Sequence, residues 1–206
     1  MLRVNPTHPD ARPFHMRSDI HLVRRVWHVF AGLFGLGIYI KAELSPQVMA
    51  NALFALSGVG FLVEFSRMKW ERLNAWVMQV LGPFMRESEK DSFSGLPFYA
   101  FGVAASLTLY EEKLAVLSIL FLIFSDPISS VFGVLYGKDK ILPNKSLQGA
   151  TAGFVTCYLL SLFYGLIYLE ASFDLLSFSL FAGVTGTLSE LMAGKVDDNL
   201  TIPVLS

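Results

Sequence analysis

Three short stretches carry side chains whose types and spacing suit chemistry. The first begins Ser125-Asp126-Pro127-Ile128-Ser129-Ser130 and runs on to Gly133, Gly137 and Lys138. It places an acid inside an otherwise uncharged apolar run. A carboxylate left unpaired there costs several kcal/mol, so one that is kept marks a functional site. Proline disfavours the α region for the residue before it and suits the first position of a helix. The pair therefore predicts a half-helix that starts within the apolar run, with Asp126 as its cap. From Asp126, the positions 129/130, 133 and 137 fall on one helical face. A plainer reading stands beside this one, in which Asp126 is only an N-cap and Gly133 and Gly137 form a packing seam.

The second stretch, 138–149, sets Lys138, Lys140 and Lys145 beside a glycine-flanked turn. Ammonium groups there suit phosphates, and Ser146 and Gly149 suit the opening of the next helix. The third is the C-terminus, with Glu190 and then Asp197-Asp198-Asn199 before an apolar segment containing Pro203. Two carboxylates and an amide are hard oxygen ligands of the kind Mg²⁺ takes, usually together with substrate phosphates. A basic inner loop and a solvated acidic turn are the plain alternatives for these two stretches. Glu64 and Glu87 are further acids that suit a metal shell. His28 has no Cys or His cluster around it, which argues against zinc and for a hydrogen bond to a neighbouring helix.

The elements that must position these groups follow from composition. Of the 206 residues 53% are apolar and 16% charged, and the mean hydropathy is +0.53. Soluble domains carry about 25% charged residues. The lone Cys157 excludes a disulfide scaffold, and a net charge of −1 offers no nucleic-acid surface. Uncharged runs at 26–40, 44–63, 93–110, 114–136, 146–169 and 175–189 predict six membrane spans. The shorter run 73–85, which contains Gly82-Pro83, predicts an amphipathic interfacial or re-entrant helix. Trp27, Trp70 and Trp76 read as interfacial anchors. Fourteen of the sixteen Lys and Arg residues fall in the tail and in alternate connections; only Lys41 and Lys113 fall in the others. That alternation predicts both termini in the cytosol. The expectation is an all-α, polytopic membrane helix bundle: a cytosolic or interfacial segment at 1–25, then one transmembrane catalytic domain at 26–206.

The stretch from Asp126 to Gly149 and the ending Glu190…Asp198-Asn199-Leu200-Thr201-Ile202-Pro203 together resemble the CTP-dependent lipid kinases. That group comprises dolichol kinase, phytol kinase and the CTP-using diacylglycerol kinase, and is related to the phosphatidate cytidylyltransferases. Arg24-Arg25-Val26-Trp27-His28 is similar to the group's basic approach to its first span. Arg86-Glu87-Ser88-Glu89 before Gly95 is similar to the segment that precedes its middle spans, most of all in the diacylglycerol kinase branch. Asn144, Gln148 and Ser129 stand where the group often has lysine, glutamate and alanine.

The resemblance and the residues converge on phosphoryl transfer from CTP, with Mg²⁺, to a lipid hydroxyl, chemistry that rests on positioning and charge neutralisation. Asp126 and Asp198, with Asp197 and Glu190 beside them, are assigned to the metal or to the attacking hydroxyl. Lys145 neutralises the triphosphate with Lys138 or Lys140, and Asn199 fixes a carboxylate or a metal-bound water. Gly133, Gly137, Ser146 and Gly149 allow close approach of the nucleotide, and Arg25 and Arg86 are further phosphate ligands. The expected partners are a lipid alcohol (a polyprenol such as dolichol, or diacylglycerol), a nucleoside triphosphate and membrane lipids. Two alternatives stay open: a cytidylyltransferase that makes a CDP-lipid, and a membrane carrier or assembly subunit in which Asp126 binds an ion.

Overall fold

The computed structural model describes residues 22–168, 174–193 and 196–206, without the side chains of Glu87 and Ser88. Most of the expected N-terminal segment lies outside the described residues, as do Glu170, Lys195 and the side chain of Glu87. Each of the six apolar runs is helical where it is described. α1 is Leu22–Lys41 and α2 is Pro46–Lys69. α2 starts where a proline costs nothing, because the first turn has no intrahelical partner for its missing N–H. Ser45 caps it, its hydroxyl accepting from the Val48 N–H at 3.3 Å. α3, Glu71–Leu81, ends in a 3₁₀ turn at Gly82–Phe84. Trp70 and Trp76 are exposed, as a surface-lying helix requires. α4 is Gly95–Leu109, α5 is Glu112–Leu120, α6 is Asp126–Tyr136, α7 is Leu147–Tyr168, α8 is Leu175–Met192 and α9 is Asp198–Leu205. Among the described residues four helical segments are long and apolar enough to cross a membrane: α2, the continuous helix Glu112–Tyr136, α7 and α8. α4 is apolar but shorter.

Three expectations change. The fourth apolar run is not broken at Asp126. Ser125 and Asp126 both have helical dihedrals (φ −68°, ψ −44° and φ −59°, ψ −52°), and a π turn at Phe121–Ser125 joins α5 to α6. Pro127 removes one N–H from the ladder and crowds the carbonyl four residues back, and the wider turn absorbs both effects. The basic stretch after α6 is a small antiparallel hairpin rather than a bare turn, with β1 at Lys140–Leu142 and β2 at Lys145–Ser146. Gln148 closes it: its amide oxygen accepts from the Lys138 and Asp139 N–H groups, and its NH₂ donates to the Asp139 carboxylate at 2.7 Å. The acidic C-terminal stretch is not a solvated turn. It opens α9, which packs inside the bundle against α4, α8 and α5. The last turn of α9 is held by the Tyr110 hydroxyl, which donates to the Val204 carbonyl.

One apolar core runs through α4, α5, the π turn, α7, α8 and α9, with Leu107, Leu117, Phe121, Ile123, Cys157 and Ile202 all buried. α7 lies along α8 and along α6, and α2 lies along α4. A second device holds the connection between α3 and α4. Arg67, 1% exposed, pairs with Glu64 at 2.6 Å. It also donates to the carbonyls of Glu89 (2.8 Å), Lys90 (3.2 Å) and Ser92 (2.7 Å) and to Asn74. Glu64 in turn accepts from the Ser94 N–H and hydroxyl, each at 2.8 Å. Glu64, a candidate metal ligand by sequence, is therefore fully engaged in holding this segment. Replacing Arg67 by Met should strand a buried carboxylate and three carbonyls. The expected cost is about 3–5 kcal/mol, read as a lowered denaturation midpoint of the purified protein in detergent.

Candidate active site

The segment that Arg67 holds carries Arg86 and Glu89 to the rim of a cavity of about 650 Å³. The cavity's other walls are the start of α6, the β-hairpin, the first turn of α7, the end of α8 and the start of α9. Of the residues singled out by sequence, Asp126, Gly133, Lys140, Lys145, Ser146, Gly149, Arg86, Glu190, Asp197 and Asp198 all line it. They come from six segments of the chain.

Small residues make the convergence possible. Ser146 at the end of β2 and Gly149 on α7 sit against Gly133 on α6 and Gly137 just beyond it, so closely that a Cβ on Gly149 would stand 2.9 Å from the Ser129 carbonyl. On the opposite side Gly95 and Gly102 of α4 face α9. A Cβ on Gly95 would lie 2.6 Å from the Asn199 amide nitrogen, and one on Gly102 would collide with α9 backbone. The packing seam expected of Gly133 and Gly137 is present, and it lies in and beside the cavity wall.

Within the cavity the charges are paired across helices. The Lys145 ammonium donates to Glu190 Oε1 at 2.9 Å, and the Ser129 hydroxyl donates to the same oxygen. Arg86 reaches both oxygens of Asp198, at 3.3 and 3.4 Å, and lies 3.9 Å from Asp197. Asp197 caps α9, accepting from the Asn199 backbone N–H at 3.0 Å and from its side-chain amide at 2.6 Å. Burial alone would raise the Asp198 carboxyl, but Arg86, Lys145 and Arg24 outweigh it and hold it down at about 2. Asp197 goes the other way, to about 6, through burial and repulsion by Asp198. Burial works against the charge on Lys145 too, and is overcome by Glu190, Asp198 and Asp126, which raise its pKa.

Asp126 is buried, with Asp198, Glu190 and Lys145 as its charged neighbours. The cavity wall holds Glu89, Asp126, Glu190, Asp197 and Asp198 against Arg86, Lys140 and Lys145. Among the described residues no three His, Cys, Asp or Glu side chains gather closely enough to hold a metal ion by themselves. The acids nevertheless fit a cation shared with a bound polyanion. They outnumber the fixed cations, and Glu190 Oε2 is buried without a hydrogen-bond partner among the described residues.

Four of the expected site residues, Arg25, Gly137, Lys138 and Asn199, stand elsewhere, as does His28. Arg25 donates to the Pro127 carbonyl at 3.3 Å and the Ser130 hydroxyl at 2.7 Å, fastening α1 to the first turn of α6. His28 donates to the Leu122 carbonyl within the π turn at 2.9 Å, the helix-to-helix bond expected of it. Gly137 packs beneath Ser146, and Lys138 engages Gln148 through its backbone. Asn199 turns from the cavity to a neighbouring apolar groove. Glu89 escaped the sequence reading as a site residue. Beyond its place in the segment that resembles the lipid kinases, its local signal is the capping-box spacing from Arg86, whose N–H it accepts at 2.9 Å.

A model of the cytidylyltransferase family matches residues 15–196, nearly the whole chain and every wall of the cavity except the start of α9. The chain belongs to that family. It is 32% identical over 201 residues to the CTP-dependent diacylglycerol kinase 1 of Schizosaccharomyces pombe, an alignment that covers 89% of this chain and 88% of the relative. The protein of the same name from Eremothecium gossypii is 30% identical over 89% of this chain and 64% of its own length. That from Saccharomyces cerevisiae is 28% identical over 89% and 70%. No solved structure matches the chain.

Within this family member the Lys145–Glu190 pair ties the hairpin to α8. Lys145→Met should cost about 3 kcal/mol, because Glu190 then stays buried with Ser129 as its remaining donor. Adding Glu190→Gln to that variant should recover much of the loss. Thermal denaturation of the four proteins in detergent, treated as a double-mutant cycle, reads the coupling.

Proposed function

We propose that the chain is an integral membrane enzyme that transfers the γ-phosphate of CTP to a lipid alcohol. The observation that carries this reading is the single cavity in which Asp126, Lys145, Glu190 and Asp198 converge with Arg86. The relatives named above support CTP as donor and diacylglycerol as acceptor. A polyprenol is the second acceptor to be tried. In this reading Lys145 and Lys140 face the triphosphate, and Arg86 holds Asp198 and the α9 turn in place. Gly133, Ser146 and Gly149 let the phosphates approach the backbone. Asp126 and Asp198 would hold Mg²⁺ together with phosphate oxygens, since Mg²⁺ commonly takes one or two carboxylates plus substrate. That ion would supply the positive charge that this acid-rich wall lacks. The lipid enters from the apolar side, and the nucleotide from the side bearing the hairpin.

The membrane arrangement belongs to the same proposal: six crossings, with the basic connections and the cavity on the cytosolic side and α9 turned back into the bundle. The depth of Asp126, roughly 18 Å from residue 114 along the helix, is then met by α9, which carries Asp198 inward to it.

The family's name keeps a second reading in play, in which a lipid phosphate attacks the α-phosphorus of CTP and pyrophosphate leaves. Membranes given CTP labelled at the γ-position should label diacylglycerol, and CTP labelled at the α-position should leave lipid unlabelled. Label from the α-position would establish the second reading. Asp126→Asn should keep the fold and lose about 100-fold or more in turnover, because a neutral amide does not replace a charge placed for the transition state. Near-normal turnover in a monodisperse Asp126→Asn protein would sink the mechanism. Cysteines placed at Glu112 and Asp174 should react with an impermeant reagent from outside, and one at Lys140 only after the membrane is opened.

A further inference from the structure

A second cavity, of about 410 Å³, lies between α1, α2 and α4. It is lined almost wholly by apolar side chains and by two glycines of α1, Gly32 and Gly35. Exposed Phe30, Phe34 and Leu56 flank it, so it opens on the apolar outer surface of the bundle. Along α1 its wall runs from Arg24 to Tyr39, about 22 Å at the helical rise.

Its lining includes the polar side chains of Arg24, His28, Tyr39, Glu89, Tyr99 and Asn199. Among them Glu89 Oε1, Asn199 Oδ1 and Tyr99 Oη are buried oxygens with no hydrogen-bond partner among the described residues. Glu89 and Asn199 are themselves only 4% and 3% exposed. Buried polar atoms without partners are rare and mark places where a ligand supplies the missing bond. Glu89 is also the one described residue that lines both this groove and the polar cavity. A groove with a long apolar body, three unpartnered buried oxygens in its wall and one wall residue shared with the phosphate cavity matches a neutral lipid alcohol.

We propose that this groove is the acceptor site: the lipid's apolar chains lie along α1, and its hydroxyl meets Glu89 Oε1 at the junction of the two cavities. This rests on the kinase reading above and adds to it the acceptor's path and a catalytic residue. The hydroxyl oxygen forms a bond to the γ-phosphorus as the bridging bond to the β-phosphate breaks. The hydroxyl proton passes to Glu89, and the electron pair of the broken bond leaves with the nucleoside diphosphate. Asn199 and Tyr99 orient the hydroxyl.

Two substitutions test this without emptying the core. A Cβ on Gly35 meets no protein atom within 4 Å, so Gly35→Leu fills the groove rather than distorting it, and leucine favours a helix over glycine. Gly58→Leu on α2, where a Cβ also meets nothing and no groove lies, is the control. With purified protein in detergent, a fluorescent short-chain diacylglycerol should bind the wild type and Gly58→Leu alike, and Gly35→Leu at least tenfold more weakly. The KM for CTP should be unchanged in both. Glu89→Gln keeps an acceptor for the Arg86 N–H. It should lower kcat by 100-fold or more, in the range general-base catalysis contributes, while lipid binding and the thermal midpoint hold. Unaltered lipid binding in Gly35→Leu would overturn the groove. An unaltered kcat in Glu89→Gln would overturn the role of Glu89. A wild type that binds the lipid in a Gly35-dependent way yet transfers no phosphate would overturn the kinase reading and leave the groove standing.

Discussion

Arg67 is the constraint on which the functional half of this molecule depends. A guanidinium so deeply buried needs partners, and here its two terminal nitrogens meet Glu64, Asn74 and three backbone carbonyls of one connecting segment, while Nε has no partner among the described residues. The carbonyls of 89–92 belong to a stretch with almost no regular structure, which has little else to define its course. Fixing them fixes Arg86 at one end and Ser94 at the other. Arg86 then reaches across to Asp197 and Asp198 and so sets where α9 begins. Two cavities, the hydroxyl-facing end of a groove and the cap of the last helix are thereby referred to one buried cation.

The same logic of charge runs through the polar cavity. Lys145 with Glu190, and Arg86 with Asp198, are each shared between elements far apart in sequence, so the pairs act as struts as well as chemistry. Their burial would be costly if the cavity stayed dry and apolar. It is instead roomy and rich in acid, an environment that takes a polyanion only together with a cation. Ser129 shows how closely it is tuned: its hydroxyl bonds Glu190 from one side while the Gly149 backbone presses near its own carbonyl from the other.

The π turn before Asp126 is the other irregularity with a consequence. It keeps α5 and α6 on one line through the bundle while leaving a carbonyl for His28 to meet. Arg25 meets the Pro127 carbonyl and the Ser130 hydroxyl. Arg25 and His28 at the start of α1 thus secure the backbone that presents Asp126.

Much of this was legible in the chain itself. Runs of about twenty apolar residues bounded by charge favour helices, because only a helix satisfies its backbone polar groups within one segment in apolar surroundings. The rarity of an acid in such a run singled out Asp126, and the clustering of hard ligands singled out Asp197 and Asp198. Tertiary structure decided the rest. Whether Pro127 breaks a helix or widens a turn depends on neighbours able to receive the displaced carbonyls. Glu64 and Glu190 look alike as sequence, yet one meets Arg67 and the other lines the cavity. Glu89 shows in sequence only by its spacing from Arg86 and its place in a family-like segment, and neither says that it stands in the walls of two cavities. The apolar segment with Pro203 became an internal helix only because Gly95 and Gly102, a hundred residues earlier, lack the side chains that would keep it out. Local pattern determines what a segment can form; which charge meets which depends on close approach between distant segments, and that is a property of packing.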